Sequence, residues 1–137
     1  MNLIGQAIHT ARKYYDENTF YHAMRAAAYV TDDNLIPDSV KDDCIILAIM
    51  HDLLEDTDYE TFGCSFMSDH LEECLRLITR TKGVDYDIYL KDIKTNYATH
   101  PETYWVKLAD MKDHLSLTDT LTDKLKDKYL SGLRYLL

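Results

Sequence analysis

The uninterrupted apolar run Cys44-Ile45-Ile46-Leu47-Ala48-Ile49-Met50 leads directly into His51-Asp52-Leu53-Leu54-Glu55-Asp56-Thr57. A segment that is apolar on every side has to be enclosed by the rest of the chain. Its neighbours decide what encloses it. On both sides apolar residues recur three and four positions apart, the period of a helix. Leu3, Ile4, Ala7, Ile8 and Ala11 line a first helix. After a short polar loop, Asp16-Glu17-Asn18-Thr19, a second helix is predicted from about Phe20 to Val30, with Ala26-Ala27-Ala28 in its core. Pro37-Asp38 marks the start of the helix that carries the apolar run, and that helix is expected at the centre of a bundle.

The rest of the chain reads the same way. Thr57-Asp58-Tyr59-Glu60 has the form of a capping box. Ser68 is placed to cap a helix whose apolar face is Leu71, Cys74, Leu75 and Ile78. Gly83 interrupts the pattern. Tyr86, Tyr89, Leu90, Ile93 and Tyr97 form another face, and Pro101 suits a helix first turn. Tyr104, Trp105, Leu108, Met111 and Leu115 continue from it, and a last helix is expected to bury Leu125, Tyr129, Leu133 and Leu136. With only 4 Gly and 2 Pro in 137 residues, a turn-rich β fold is disfavoured. The expectation is an all-α, compact single-domain bundle of about seven helices spanning residues 1–137.

Charge and cysteine content narrow the function. A formal charge of −9 disfavours nucleic-acid and anionic membrane partners, whose affinity comes from Lys and Arg. A phosphorylated substrate would need a local cationic patch to overcome that field. No apolar stretch approaches the roughly 20 residues that span a bilayer, and no signal peptide is apparent, so a cytoplasmic location is expected. Cys44, Cys64 and Cys74 form no C-x-x-C pair, which argues against a disulfide framework and a structural zinc site. Cys44 is expected to be a buried thiol.

Ionisable groups at the end of the most apolar helix need a reason to be there, because burying charge is costly unless it is paired or binds a metal. His51 and Glu55 share a helix face, as do Asp52 and Asp56. His51 and Asp52 point about 100 degrees apart on a regular helix. They converge on one ion only beside the helix end, where the chain can loosen. Asp110, in Trp105-Val106-Lys107-Leu108-Ala109-Asp110-Met111, is a carboxylate within an apolar face. His22, in Phe20-Tyr21-His22-Ala23-Met24-Arg25, would by itself read as a core histidine.

Together the three segments resemble the HD superfamily of metal-dependent phosphohydrolases. Within it they are similar to the ppGpp-hydrolase domains of the RelA/SpoT family and the single-domain small alarmone hydrolases. The family pattern is a first histidine, then HD-x-x-ED-T, then K-L-A-D. Here these are His22, His51 to Thr57 and Lys107 to Asp110. Leu77-Ile78-Thr79-Arg80 with Tyr86 and Tyr89, and the tail from Lys124 to Leu137, extend the resemblance over most of the chain. It departs on the nucleotide side: Ala23 follows the first histidine where the family has proline, and His114 stands where the family has asparagine.

The resemblance implies an HD-domain fold with His22, His51, Asp52 and Asp110 as metal ligands and Mn²⁺ as the ion. The nitrogen and oxygen donor set also suits Fe²⁺ or Zn²⁺. Glu55 and Asp56 are the expected catalytic acids and bases, orienting water and moving its proton. Lys107, Arg12, Lys13, Arg25 and His114 are the expected substrate-binding residues, with Arg80 and Lys82 as further cations. Tyr14, Tyr15 and Tyr21 are candidates to stack on a base.

The implied activity is guanosine 3′,5′-bis(diphosphate) 3′-pyrophosphohydrolase, with a small-molecule nucleotide as partner. Hydrolysis of another nucleotide (a deoxynucleoside monophosphate or NADPH) is the alternative in the same class. A catalytically silent nucleotide-binding HD module is the alternative outside it. A di-iron centre ranks last, because His9, His70 and His100 are not at spacings that bring them to the metal. Whether the chain forms a homo-oligomer is left open.

Overall fold

A computed structural model describes residues 2–60 and 66–137. Among these the chain is all-α. Its helices are α1 (Leu3–Tyr14), α2 (Glu17–Asp32), α3 (Asp38–Met50), the single-turn α4 (Leu53–Asp56), α5 (Asp69–Ile78), α6 (Tyr86–Thr95), α7 (Pro101–Ser116) and α8 (Asp123–Leu136). A 3₁₀ turn, Asn96–Ala98, links α6 to α7. Apart from α4, every one of these helices has ten residues or more. That matches the expected bundle of about seven.

The apolar run is where its composition requires. α3 packs against α1, α2, α5 and α7. Cys44 and every residue from Ile46 to Met50 are buried. Each fully enclosed Ile, Leu or Met in this segment contributes about 1.5–3 kcal/mol relative to exposure. α7 shares the centre, packing on α2, α3, α5, α6 and α8. Unlike α3 it buries polar side chains: Glu102, Thr103, Lys107, Asp110 and Asp113. A smaller apolar cluster of Tyr89, Leu90, Ile93, Leu108, Met111 and Leu136 seats α6 and α8 on its far side. α8 comes close there at Gly132, where a Cβ would lie 2.9 Å from Met111 Cε.

Caps account for the differences from the sequence reading. The supposed loop Asp16–Thr19 is the start of α2. Asp16 accepts from the Thr19 N–H at 2.8 Å and so extends the helix upstream of Phe20. Thr57 does not open a helix as a capping box. It closes α4, with its hydroxyl donating to the Leu53 carbonyl at 2.6 Å. Leu125 is 37% exposed rather than buried: it lies in the first turn of α8, whose buried residues, Gly132 and Leu136, are in its second half. Ser68 caps α5, accepting from the Leu71 N–H at 3.1 Å, and Pro101 opens α7, both as expected. Gly83 adopts φ +88, a conformation that favours glycine, in the turn before α6. Cys64 lies outside the described residues; Cys44 and Cys74 are buried thiols. No helix among the described residues is long and apolar enough to cross a membrane.

Candidate metal centre

Three buried helices deliver the four expected ligands to one point. His22 comes from α2 and Asp110 from α7. His51 and Asp52 form the turn between α3 and α4. α3 stops at Met50, and Asp52 takes φ −96 and ψ 0, so the two side chains swing to the same side instead of diverging as on a continuous helix. Tyr15 fixes this turn. Its hydroxyl donates to the Ile49 carbonyl at 2.9 Å and accepts from the Asp52 N–H at 3.1 Å. Tyr15 is therefore committed to the backbone and buried, and does not serve as a base-stacking ring.

The donor atoms face one another. His22 Nε2 lies 3.3 Å from His51 Nε2, 2.8 Å from Asp110 Oδ1 and 3.6 Å from Asp52 Oδ2. His51 Nε2 lies 3.1 Å from Asp110 Oδ1 and 3.2 Å from Asp52 Oδ2. An ion bound octahedrally with bonds of about 2.1 Å separates adjacent donors by about 3 Å, so the spacing fits a single divalent cation.

Three of the four are also held from behind. His22 Nδ1 donates to Asp113 Oδ2 at 2.6 Å, and His51 Nδ1 donates to the Ala48 carbonyl at 2.6 Å. Both imidazoles thus turn Nε2 toward the centre, the orientation that partners behind metal-binding histidines impose. The Lys107 ammonium takes Asp110 Oδ2 at 2.9 Å and leaves Oδ1 for the centre. Arg25 grips Asp113 through two bonds of 2.7 and 3.0 Å.

The cluster concentrates negative charge around its two imidazoles. Burial opposes protonation of His51, but the Asp52 charge and the Asp110 contacts outweigh it and push it up to about 9. His22 is raised as well: burial and the His51 charge oppose it, and the Asp110 and Asp113 contacts outweigh them. Burial also opposes both charges of the Lys107–Asp110 pair. Even so, Asp110 holds the ammonium well above its ordinary value, and Lys107, with the neighbouring imidazoles, holds the carboxyl well below its own. Both imidazole shifts are those that concentrated negative charge produces, and a divalent cation at the centre would compete with protons for the same imidazole nitrogens.

A pocket of about 270 Å³ opens beside the cluster. Asp52, Glu55, Asp56 and Asp110 contribute its acids, and Lys107, Arg80 and Lys128 its cations. Tyr86, Tyr89, Tyr129 and His114 complete the lining. His114 Nε2 reaches Asp110 Oδ1 at 3.2 Å, and its ring stacks on Tyr129 at 4.6 Å. Burial first, then the Arg80 and Lys107 charges, lower the Lys128 ammonium, and the Glu55 and Asp110 charges offset this only in part. Desolvation and the Asp52 charge raise both Glu55 and Asp56.

The structure therefore brings together the four expected ligands, Glu55, Asp56, Lys107, His114 and Arg80. It puts the remaining expected substrate binders elsewhere. Arg25 is engaged by Asp113. Arg12 lies over the Phe20 ring and lines a groove with Asp16, Glu17 and Tyr21, and Lys13 lies over Tyr14. Sequence reasoning missed Asp113, Lys128 and Tyr129. Asp113 had a signal: Lys107, Asp110, Asp113 and His114 recur along one side of a helix whose other residues are mainly apolar.

No protein-family model matches this chain, and no curated protein sequence matches it.

Proposed function

We propose that this protein is a metal-dependent phosphohydrolase of the HD type acting on a nucleotide, with a guanosine 3′-diphosphate compound such as ppGpp as the leading substrate. The observation that carries the reading is the convergence of His22, His51, Asp52 and Asp110 on one point, at the edge of a pocket that also gathers three cations. A metal centre alone does not imply phosphate chemistry. A metal centre flanked by Lys107, Arg80 and Lys128, in a chain of net charge −9, supports an anionic substrate.

The donor set suits Mn²⁺, Fe²⁺ or Zn²⁺, with Mn²⁺ favoured by the sequence resemblance. When bound, such an ion supplies Lewis acidity, easing deprotonation of water and neutralising charge on the attacked phosphoryl group. The protein's own groups do the rest. Lys107, Arg80 and Lys128 bind the phosphate oxygens and hold the phosphorus in place for attack. Tyr129, backed by His114, offers a flat face to a base or ribose. Burial and the Asp52 charge raise the proton affinity of the Glu55 and Asp56 carboxylates, which suits one of them to accept the proton of the attacking water.

In the leading reaction the water oxygen joins the phosphorus next to the ribose 3′ oxygen. The bond from that phosphorus to the 3′ oxygen breaks, and the 3′ oxygen takes up the proton held by the carboxyl. Pyrophosphate leaves.

The test is a screen for Mn²⁺-dependent release of phosphate and pyrophosphate from a nucleotide panel that includes ppGpp. The expected result is turnover in wild type and, in Glu55→Gln, retention of the metal with a 10²–10⁴-fold loss of turnover. Metal bound at the centre with no turnover on any substrate would overturn the hydrolase reading and leave a nucleotide-binding module.

A further inference from the structure

A second group of metal-ligating side chains lies away from this pocket and shares no residue with it. His70 and Cys74 are four apart on α5 and face the same way. His100 is the residue before α7, and Glu102 is in its first turn. One ligand atom from each of His70, Cys74 and His100 lies within 4.8 Å of the other two. His70 Nε2 is 3.7 Å from Cys74 Sγ. The Glu102 carboxylate aims at both, with Oε2 at 2.9 Å from His70 Nε2 and Oε1 at 3.8 Å from Cys74 Sγ. Donors around a tetrahedral zinc ion are about 3.3–3.8 Å apart, given Zn–N near 2.0 Å and Zn–S near 2.3 Å.

Other readings account for less of this arrangement. A surface ion pair between His70 and Glu102 would not need Glu102 to be 3% exposed, nor a thiol against its second oxygen. A nucleophilic cysteine needs access, and Cys74 has none. The two imidazoles are at the rim, stacked at 4.8 Å, with side chains 40% and 22% exposed, which leaves a route for an ion from solvent. Sulfur, nitrogen and oxygen donors together suit zinc among the common divalent ions.

We propose that His70, Cys74, His100 and Glu102 form a second, structural metal site for Zn²⁺, cross-linking α5 to the N-terminal end of α7. Binding releases the Cys74 thiol proton to solvent and forms one bond from the ion to each of four side chains. The Thr103 hydroxyl, donating to the Cys74 carbonyl at 3.4 Å, already joins the two helices at this point. The ion completes that joint on the helix that also carries Asp110. The inference stands independently of the hydrolase reading.

Cobalt alone is the probe, because only the second site contains sulfur. Adding Co²⁺ to the full chain under reducing conditions is expected to give a thiolate-to-cobalt charge-transfer band whose final intensity corresponds to one thiolate-bound cobalt per chain, whatever cobalt the first cluster also takes. Asp52→Ala keeps the band and Cys74→Ser loses it. His100→Asn, which changes a rim residue, weakens cobalt binding at least tenfold while circular dichroism stays helical. Absence of the band from folded wild type at saturating Co²⁺, or its persistence in Cys74→Ser, would overturn the proposal.

Discussion

The two clusters each draw a carboxylate from α7, Asp110 in one and Glu102 in the other, and differ in how their side chains are held. Around Asp110 the ligands are fixed from behind: His22 by Asp113, His51 by the Ala48 carbonyl, and Asp110 by Lys107. All three are buried. Around Glu102 the carboxylate and thiol are buried, but the imidazoles are partly exposed and stack on each other, His70 held by Glu102 and His100 by rim contacts to Thr99 and Glu73. The first arrangement is preorganised, and the pocket beside it is what that rigidity serves. The second has to close around its ion. A cluster beside a pocket with ligands fixed from behind suits chemistry, whereas one whose imidazoles are held at the rim suits a cross-link.

The largest effect that tests this contrast comes from Asp110→Asn. The change removes a ligand and leaves the Lys107 ammonium enclosed without its anion. Turnover should fall to background, and metal at the first cluster should be lost. Stability should drop by about 3–5 kcal/mol in urea unfolding, the usual cost of leaving one member of a buried ion pair alone. The cobalt–thiolate band at the second cluster should persist in whatever fraction stays folded. Loss of both metals in a folded Asp110→Asn protein would show that the clusters are not separate.

Asp113→Asn is the next step down, because it touches no metal and acts through His22. Metal affinity at the first cluster should fall about 10–100-fold, the range for partners behind ligating histidines. The second cluster should not respond. The change also carries a pH signature. Burial raises the Asp113 carboxyl, but the Arg25 and His22 bonds outweigh it and hold it below the ordinary value. A carboxyl depressed in the folded state contributes stability that is present above its unfolded pKa of about 3.9 and is lost as pH falls through the folded value. Urea midpoints measured from pH 5 downward should therefore fall more steeply in wild type than in Asp113→Asn.

The same contrast explains what the sequence made legible. His51 and Asp52 stand out because they adjoin the most apolar run in the chain, and Asp110 because it interrupts an apolar face. The helices themselves follow from spacing, which packing on α3 and α7 enforces. Asp113 escaped notice because a carboxylate three residues after another on a helix looks like a solvated face. Only the fold shows Arg25 and His22 arriving from α2. His70 and His100 could not be placed by spacing, and the argument against a structural zinc site from the cysteine pattern looked only for paired cysteines. In the fold Cys74 lies beside His70, one turn away, and near His100 and Glu102 at the start of α7. Boundaries were misread where one side chain decides them. Asp16 is a cap and not a loop residue, and Thr57 closes a helix instead of opening one.

The smallest expected effect is at Ser68, whose side chain touches neither cluster but caps the helix that carries His70 and Cys74. Ser68→Ala removes the acceptor for the Leu71 N–H and should cost about 1 kcal/mol of stability by urea unfolding. The first turn of α5 then frays, and His70 is in that turn. If the second site closes around its ion, the cost of ordering this turn falls on binding. Cobalt affinity there should weaken about fivefold, since 1 kcal/mol corresponds to about that factor. The first cluster draws its ligands from α2, α7 and the turn after α3, so its metal affinity and turnover should be unchanged. Equal weakening at both sites would mean that α5 supports the whole bundle, and that the second cluster's looseness is not local.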